Sequence, residues 1–194
     1  MSKLKNLRGF SSWIVFALFP NSDVAWAALA GLAVALVLFI QDRRRGIPLD
    51  ALVLDLATMF FFAALSVAAF AAPHAPLGAW SSALSFGWLA ITAWGTIALR
   101  QPFTLGLARQ RVTREISERP AFRQSQIALT RLWAIVFTAI SVLLVACNAT
   151  HQSTVVTLAV RVAGLAVGAN LTSRHIKASR QRRDAEALEA EGTW

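Results

Sequence analysis

The sequence predicts an all-α fold, a polytopic membrane bundle of about five transmembrane helices preceded by a short apolar helix. Of the 194 residues, 56% are hydrophobic and 15% are charged, whereas about a quarter of a soluble domain is charged. The apolar residues also occur in runs close to the ~20 residues that a helix needs to cross a membrane. These runs lack the alternation of membrane β-strands, so helices are the spanning structure that they favour.

Five apolar runs predict the spans, and none contains an internal proline. Their limits are residues 24–40, 52–71, 80–99, 127–148 and 154–172. Residues that end helices and favour turns stand between the runs, namely Gly46 and Pro48, Pro73 and Pro76, and Pro102 and Pro120. We therefore predict one helical domain over residues 1–176, followed by a charged tail over residues 177–194.

The distribution of basic residues predicts the orientation of the bundle. The formal net charge is +9, and the cations cluster after the first span, in the long loop 100–126 and after the last span. The alternate loops, residues 72–79 and 149–153, contain no Lys or Arg. By the positive-inside rule, the basic loops and the C-terminus are cytoplasmic.

The N-terminal segment allows more than one interpretation. Lys3, Lys5 and Arg8 precede an apolar stretch over residues 10–19, which resembles a signal peptide, but cleavage near Ala25 and Ala27 would cut into the first span. We prefer a short amphipathic or half-inserted helix that Pro20 ends. Either residues 9–20 make a strained sixth crossing, or the N-terminus lies outside.

Three ionisable residues fall inside predicted spans, where an unpaired charge costs several kcal/mol. Asp55 and Arg131 share a predicted depth, and a pair between them would fix the packing of two helices; a transport or proton-relay role is the alternative. Arg161 is either a snorkelling arginine, with Asp23 as a candidate partner, or part of a ligand or ion site.

Small and semi-polar residues predict helix contacts. Gly164 and Gly168 form a GxxxG pair, and Gly31 lies in a run of small residues spaced by four. Such spacing lets helix backbones approach closely, within the bundle or between two copies of the chain. In the third span a semi-polar face, formed by Ser81, Ser85, Trp88, Thr92 and Thr96, is expected to pack inward.

The long loop and the tail predict lipid contact. The loop mixes apolar side chains with six arginines and two glutamates, a composition that suits a segment lying on an anionic cytoplasmic leaflet. We assign head-group contact to Arg109, Arg111 and Arg114. The tail is basic and then acidic, and is expected to extend the last helix. A nucleic-acid partner is not expected, because no recognised binding fold presents these cations.

No catalytic, cofactor-binding or metal-binding residue is predicted. Cys147 is the single cysteine, and His74 and His151 lack further ligands at metal-binding spacing. Phosphate-binding glycine loops, HExxH and nucleophile motifs do not occur in the sequence.

Two local patterns stand out in the later spans: LTRLWAIVF at the start of the fourth, with Trp133 and Phe137, and VRVAGL in the fifth, with Arg161, Gly164 and Leu165. In these patterns and in its layout of spans and loops, the chain resembles the bacterial intracellular septation protein A family of inner-membrane proteins. The resemblance covers residues 9–176. It implies five spans in the inner membrane, and a non-enzymatic role in septation or envelope maintenance through division or envelope partner proteins. The alternative from the residues alone is a small channel or transporter that uses Asp55, Arg131 and Arg161.

Overall fold

The structure is a computed structural model that describes residues 11–19, 23–109 and 120–191. The described residues form α-helices and one 3-10 turn, Leu49–Ala51. In chain order the helices are α1 (Ser11–Leu18), α2 (Val24–Arg44), α3 (Val53–Ala71), α4 (Leu77–Ala98), α5 (Phe103–Arg109), α6 (Pro120–Ala149) and α7 (Thr154–Glu191). The predicted helical class is therefore confirmed for the described part of the chain.

Among the described residues, four helices are long and apolar enough to cross a membrane. They are Val24–Arg44, Val53–Ala71, Phe122–Ala149 and Thr154–Ser179. Helix α4 has 22 residues but does not belong to this set, because Ser, Thr, Gly and Trp dilute its apolar residues. The structure thus supports four apolar helices, one fewer than the predicted number of spans.

The predicted limits of the last two spans need correction at the ends that are predicted to be cytoplasmic. The loop over residues 100–126 contains α5 and the first turns of α6, so the fourth apolar run is the later part of a 30-residue helix. The last predicted span, residues 154–172, continues as one helix to Glu191, because the polar residues that follow retain helix-forming types such as Arg, Ala and Glu.

Helix α2 packs on α3 through its smallest residues. Ala27, Gly31 and Ala35 are buried at successive turns, and Gly31 faces the ring of Phe62. A Cβ added at Gly31 would lie 3.0 Å from Phe62 Cε1, which is tighter than ordinary van der Waals contact. The small-residue run is therefore the groove that receives a buried aromatic side chain.

Helix α4 lies antiparallel to α6 and bonds to it along its length. Asn148 Nδ2 donates to the carbonyl oxygen of Ala79 at 3.0 Å, and Ser141 Oγ donates to that of Ala83 at 3.0 Å. Further along, Trp94 Nε1 donates to Thr138 Oγ1 at 3.2 Å. Polar side chains of α6 thus bond to the backbone of α4, and an indole of α4 bonds to α6, so these groups are satisfied at the contact between the two helices.

The face of α4 that bears Ser81, Ser85 and Thr96 is buried, as the spacing predicts. Each of these hydroxyls donates to a carbonyl three or four residues earlier in the same helix. Trp88 Nε1 reaches across to α3 and donates to the carbonyl oxygen of Ala57 at 2.9 Å. The semi-polar stripe thus faces the inside of the bundle.

Helix α7 contacts α6 through its two glycines. Gly168 lies against Trp133 and Val136, where an added Cβ would sit 3.0 Å from Trp133 Cζ3 and 3.2 Å from Val136 Cγ1. Gly164 lies against Ile140 at a separation that leaves no room for a Cβ. The GxxxG pair therefore lies at a contact within the bundle.

Helix α1 is inserted beside the main helices. Its eight residues rise about 12 Å, less than half of a hydrocarbon layer. Trp13 stacks on Phe61 with ring centroids 5.2 Å apart and also contacts Phe62 at 4.9 Å. An aromatic anchor thus fixes this short helix against α3, while the basic residues that precede it lie outside the described residues.

Helix α5 is held on α6 by a buried pair of hydroxyls. Thr104 Oγ1 lies 2.7 Å from Thr130 Oγ1 and donates to the carbonyl oxygen of Gln126 at 2.9 Å. Leu105 is buried beside them. The start of the long basic loop is therefore docked against the bundle.

Candidate functional site

A cavity of about 460 Å³ lies between α1, α2, α4, α6 and α7. Its volume is within the 300–1,000 Å³ range of small-molecule sites. The wall is mainly apolar and carries a few polar groups on one side. The lining residues are Trp13, Ile14, Phe16, Ala17, Phe19, Val24, Ala27, Ser81, Ser82, Ser85, Phe86, Leu89, Phe137, Leu158, Arg161, Val162 and Leu165.

Arg161 supplies the charged group of the cavity. It lies seven residues into α7, about 10 Å along the helix, and its side chain is half-buried. Its Nη1 donates to Ser82 Oγ on α4 at 3.0 Å, and its Nε donates to the carbonyl oxygen of Thr157 at 3.3 Å. These two bonds orient the guanidinium between α7 and α4.

The serines of α4 form the polar side of the cavity with Arg161. Ser81 and Ser85 donate their hydroxyl hydrogens to carbonyls of their own helix, so each oxygen turns its acceptor lone pairs outward. Ser82 accepts a hydrogen bond from Arg161, and its hydroxyl hydrogen can be donated elsewhere. This side can therefore both donate to and accept from a polar group.

Aromatic residues of α1 and α6 make up much of the remaining wall. Trp13 and Phe16 pack on the Phe62 cluster from one side, and Phe137 packs with Phe86 and Trp133 from the other. Since rings in contact restrain one another, both flanks of the cavity are held in place. The cavity depends on α1, which contributes four of its lining residues, and Phe19 follows directly after the helix.

The chain matches no family model, no curated protein and no solved structure. The assignment of the site therefore depends on its geometry.

The other two predicted intramembrane charges lie away from this cavity. Asp55 is half-buried in the first turn of α3, where a helix N-terminus favours a carboxylate. Asp42, near the end of α2, pairs with Arg45 at 3.3 Å. Arg131 is exposed, and no ion pair joins Asp55 to Arg131 among the described residues. The predicted pairing is not found.

Arg161 lines the cavity, whereas Asp55 and Arg131 are not among its described lining residues. The described residues therefore show no common path that joins the three charges. The transporter hypothesis, which required Asp55, Arg131 and Arg161 to converge, gains no support from this arrangement. The predicted head-group contacts are not described: Arg111 and Arg114 lie outside the described residues, and Arg109 ends α5 with its side chain undescribed.

Ser82 is the site residue that the sequence reasoning missed. It lies 79 positions from Arg161 and one position off the semi-polar stripe of α4. Their positions along the two helices contained a signal. Ser82 and Arg161 are five and seven residues from the starts of helices that both begin at the predicted outer side, so a comparison across spans would have placed them at similar depth in the membrane.

Proposed function

We propose that this chain is a multi-pass protein of the bacterial inner membrane with five spans. These are the four apolar helices and, in addition, α4. The antiparallel bonds between α4 and α6 support this proposal, because they follow α6 through the region that is apolar enough to span a membrane. The 22 residues of α4 rise about 33 Å, which matches a hydrocarbon layer of ~30 Å. Most of its hydroxyls and indoles are hydrogen-bonded within the bundle, namely those of Ser81, Ser82, Ser85, Trp88, Trp94 and Thr96.

The orientation follows from the basic residues. With α2, α4 and α7 running inward, Arg43, Arg44 and the cations after residue 173 lie in the cytoplasm, as the positive-inside rule requires. In a four-span arrangement without α4, the ends of that helix would lie on the same side of the membrane. The two arrangements therefore differ in the side on which residue 101 is exposed.

Single cysteines distinguish the two arrangements. In a Cys147→Ser background, we expect a membrane-impermeant thiol reagent to label His74→Cys and Gln152→Cys in intact spheroplasts, and Arg45→Cys and Gln101→Cys only after lysis. All four positions are exposed in the structure. Labelling of Gln101→Cys without lysis would contradict a membrane-crossing α4, and equal labelling of all four before lysis would show leaky membranes.

We further propose a non-enzymatic role in septation or envelope maintenance, exerted through contacts with lipids and with division or envelope proteins. Support comes from the resemblance in layout and from the open position of α7. That helix packs on α6 through Gly164 and Gly168, while side chains such as Val155, Val162 and Val167 are exposed. An exposed apolar helix face can be covered by lipid or by a partner helix.

The test is the distribution of a C-terminally tagged copy in a deletion strain. We expect enrichment at the division site and restoration of normal cell length. A uniform membrane signal in cells of normal length, with or without the tagged copy, would overturn the septation role. It would leave the membrane topology untouched, since the cysteine experiment tests that independently.

A further inference from the structure

We propose that the cavity beside Arg161 binds a membrane phospholipid, with the phosphate on Arg161 and the serines of α4 and one acyl chain along the apolar wall. This inference goes beyond the proposed envelope role and does not depend on it. It depends on a charged group, an apolar wall and an opening, each taken from the described residues.

The charge argument begins with the donors of Arg161. A guanidinium has five N–H donors, and the described residues accept two of them, at Thr157 and Ser82. Three N–H groups are left for a ligand. Among the described lining residues there is no Asp or Glu, so the cavity is complementary to an anion. Phosphate suits Arg because two parallel N–H donors can meet two oxygens.

The serines extend this polar side. Ser82 has a hydroxyl hydrogen to donate, because its oxygen is the acceptor in the bond from Arg161. Ser81 and Ser85 present oxygen lone pairs at the same side, which suits the hydroxyl groups of a glycerol head group. A phosphodiester carrying glycerol therefore matches these donors and acceptors better than an isolated anion.

The apolar wall indicates that the anion carries a hydrocarbon chain. Phe16, Phe19, Leu158, Val162 and Leu165 line the cavity away from the serines. A free inorganic anion would leave these surfaces unfilled. A volume of about 460 Å³ accommodates part of a lipid, so one chain enters and the second stays in the bilayer. The cavity is partly open, and residues of α1 and α7 line its apolar part.

The experiment is native mass spectrometry of the full chain released from nanodiscs of equal phosphatidylglycerol and phosphatidylcholine content with identical acyl chains. We expect wild-type protein to retain phosphatidylglycerol in preference to phosphatidylcholine. Arg161→Gln should lower phosphatidylglycerol retention by about tenfold or more, because a hydrogen bond to a charged group is lost. Arg131→Gln is the matched control: it removes the same charge from an exposed arginine outside the cavity.

Two further variants test whether misfolding explains a loss of phosphatidylglycerol retention. Ser82→Ala removes one support of Arg161, and Ala17→Phe narrows the apolar part while the arginine is kept; both should weaken retention with unchanged thermal unfolding in phosphatidylcholine. Equal retention by Arg161→Gln and Arg131→Gln would overturn the proposal. Competition by millimolar inorganic phosphate as effective as that by phosphatidylglycerol would also overturn it, because the site would then be one for a free anion.

Discussion

Replacing Gly164 with alanine should destabilise the bundle, although alanine is the better helix former. A Cβ at this position would overlap the side chain of Ile140, which is 2% exposed in the core cluster with Val136 and Leu144. Ile140 is β-branched and enclosed, so it has little freedom to move aside. Helices α6 and α7 must therefore separate, at a cost of about 1–3 kcal/mol.

Gly95→Ala provides the matched control. Gly95 lies in α4, and no atom would lie within 4 Å of an added Cβ. The same substitution should therefore be neutral or stabilise by up to about 1 kcal/mol through helix propensity. Both variants add one methyl group to a helical glycine. The difference between their changes in unfolding free energy therefore reports the contact with Ile140.

The measurement is the unfolding free energy of both variants in nanodiscs, with Ile140→Ala added to Gly164→Ala as a double-mutant cycle. Ile140→Ala removes Cγ1, Cγ2 and Cδ1, and leaves a Cβ that is 3.8 Å from the new methyl, an ordinary contact distance. We expect a favourable coupling energy of at least about 1 kcal/mol. A Gly164→Ala protein as stable as Gly95→Ala would show that α7 is not held at this separation.

The sequence predicts the spanning helices well because each of them has a long apolar run with helix-ending residues at its limits. Apolar runs and helix-ending residues place α2, α3 and α4 within a few residues of the observed limits, since a span must be apolar over a fixed length. The predicted helix ends are less accurate where a helix continues beyond the apolar span. At the side predicted to be cytoplasmic, α6 and α7 continue beyond the apolar runs as polar helical segments, which hydropathy does not detect.

The candidate site is less predictable, because it is assembled from residues that lie far apart in the sequence. Arg161 stands out by its depth, but its partner Ser82 lies 79 positions away and is brought to 3.0 Å by the fold. A pair between Asp55 and Arg131 is not found among the described residues, because equal depth alone does not bring two residues into contact. Local glycine spacing is more reliable, since Gly31, Gly164 and Gly168 all lie at helix contacts.

Phe62→Ala is expected to have the largest effect on the site. Phe62 is 0% exposed, and its ring fills the groove at Gly31 and contacts Trp13 and Phe16 of α1. Loss of a buried phenylalanine costs about 3–5 kcal/mol in soluble cores. We expect about 3 kcal/mol here, because lipid solvates apolar groups and the cavity term dominates.

The local consequence of Phe62→Ala should be the release of α1. Ser12 is 3% exposed, so Ser12→Cys in the Cys147→Ser background should react slowly with a thiol reagent, and at least tenfold faster when Phe62→Ala is added. Phe60→Ala is the control, because the ring of Phe60 is 63% exposed and stacks on Trp88. This variant should leave the thiol reactivity unchanged and should change the free energy of unfolding by no more than about 1.5 kcal/mol.

Because α1 forms one wall of the cavity, the Phe62→Ala variant that releases this helix should also lose phosphatidylglycerol retention while Arg161 is intact. Retention that survives the release of α1 would place the bound chain outside the cavity, along α7 and the surrounding lipid.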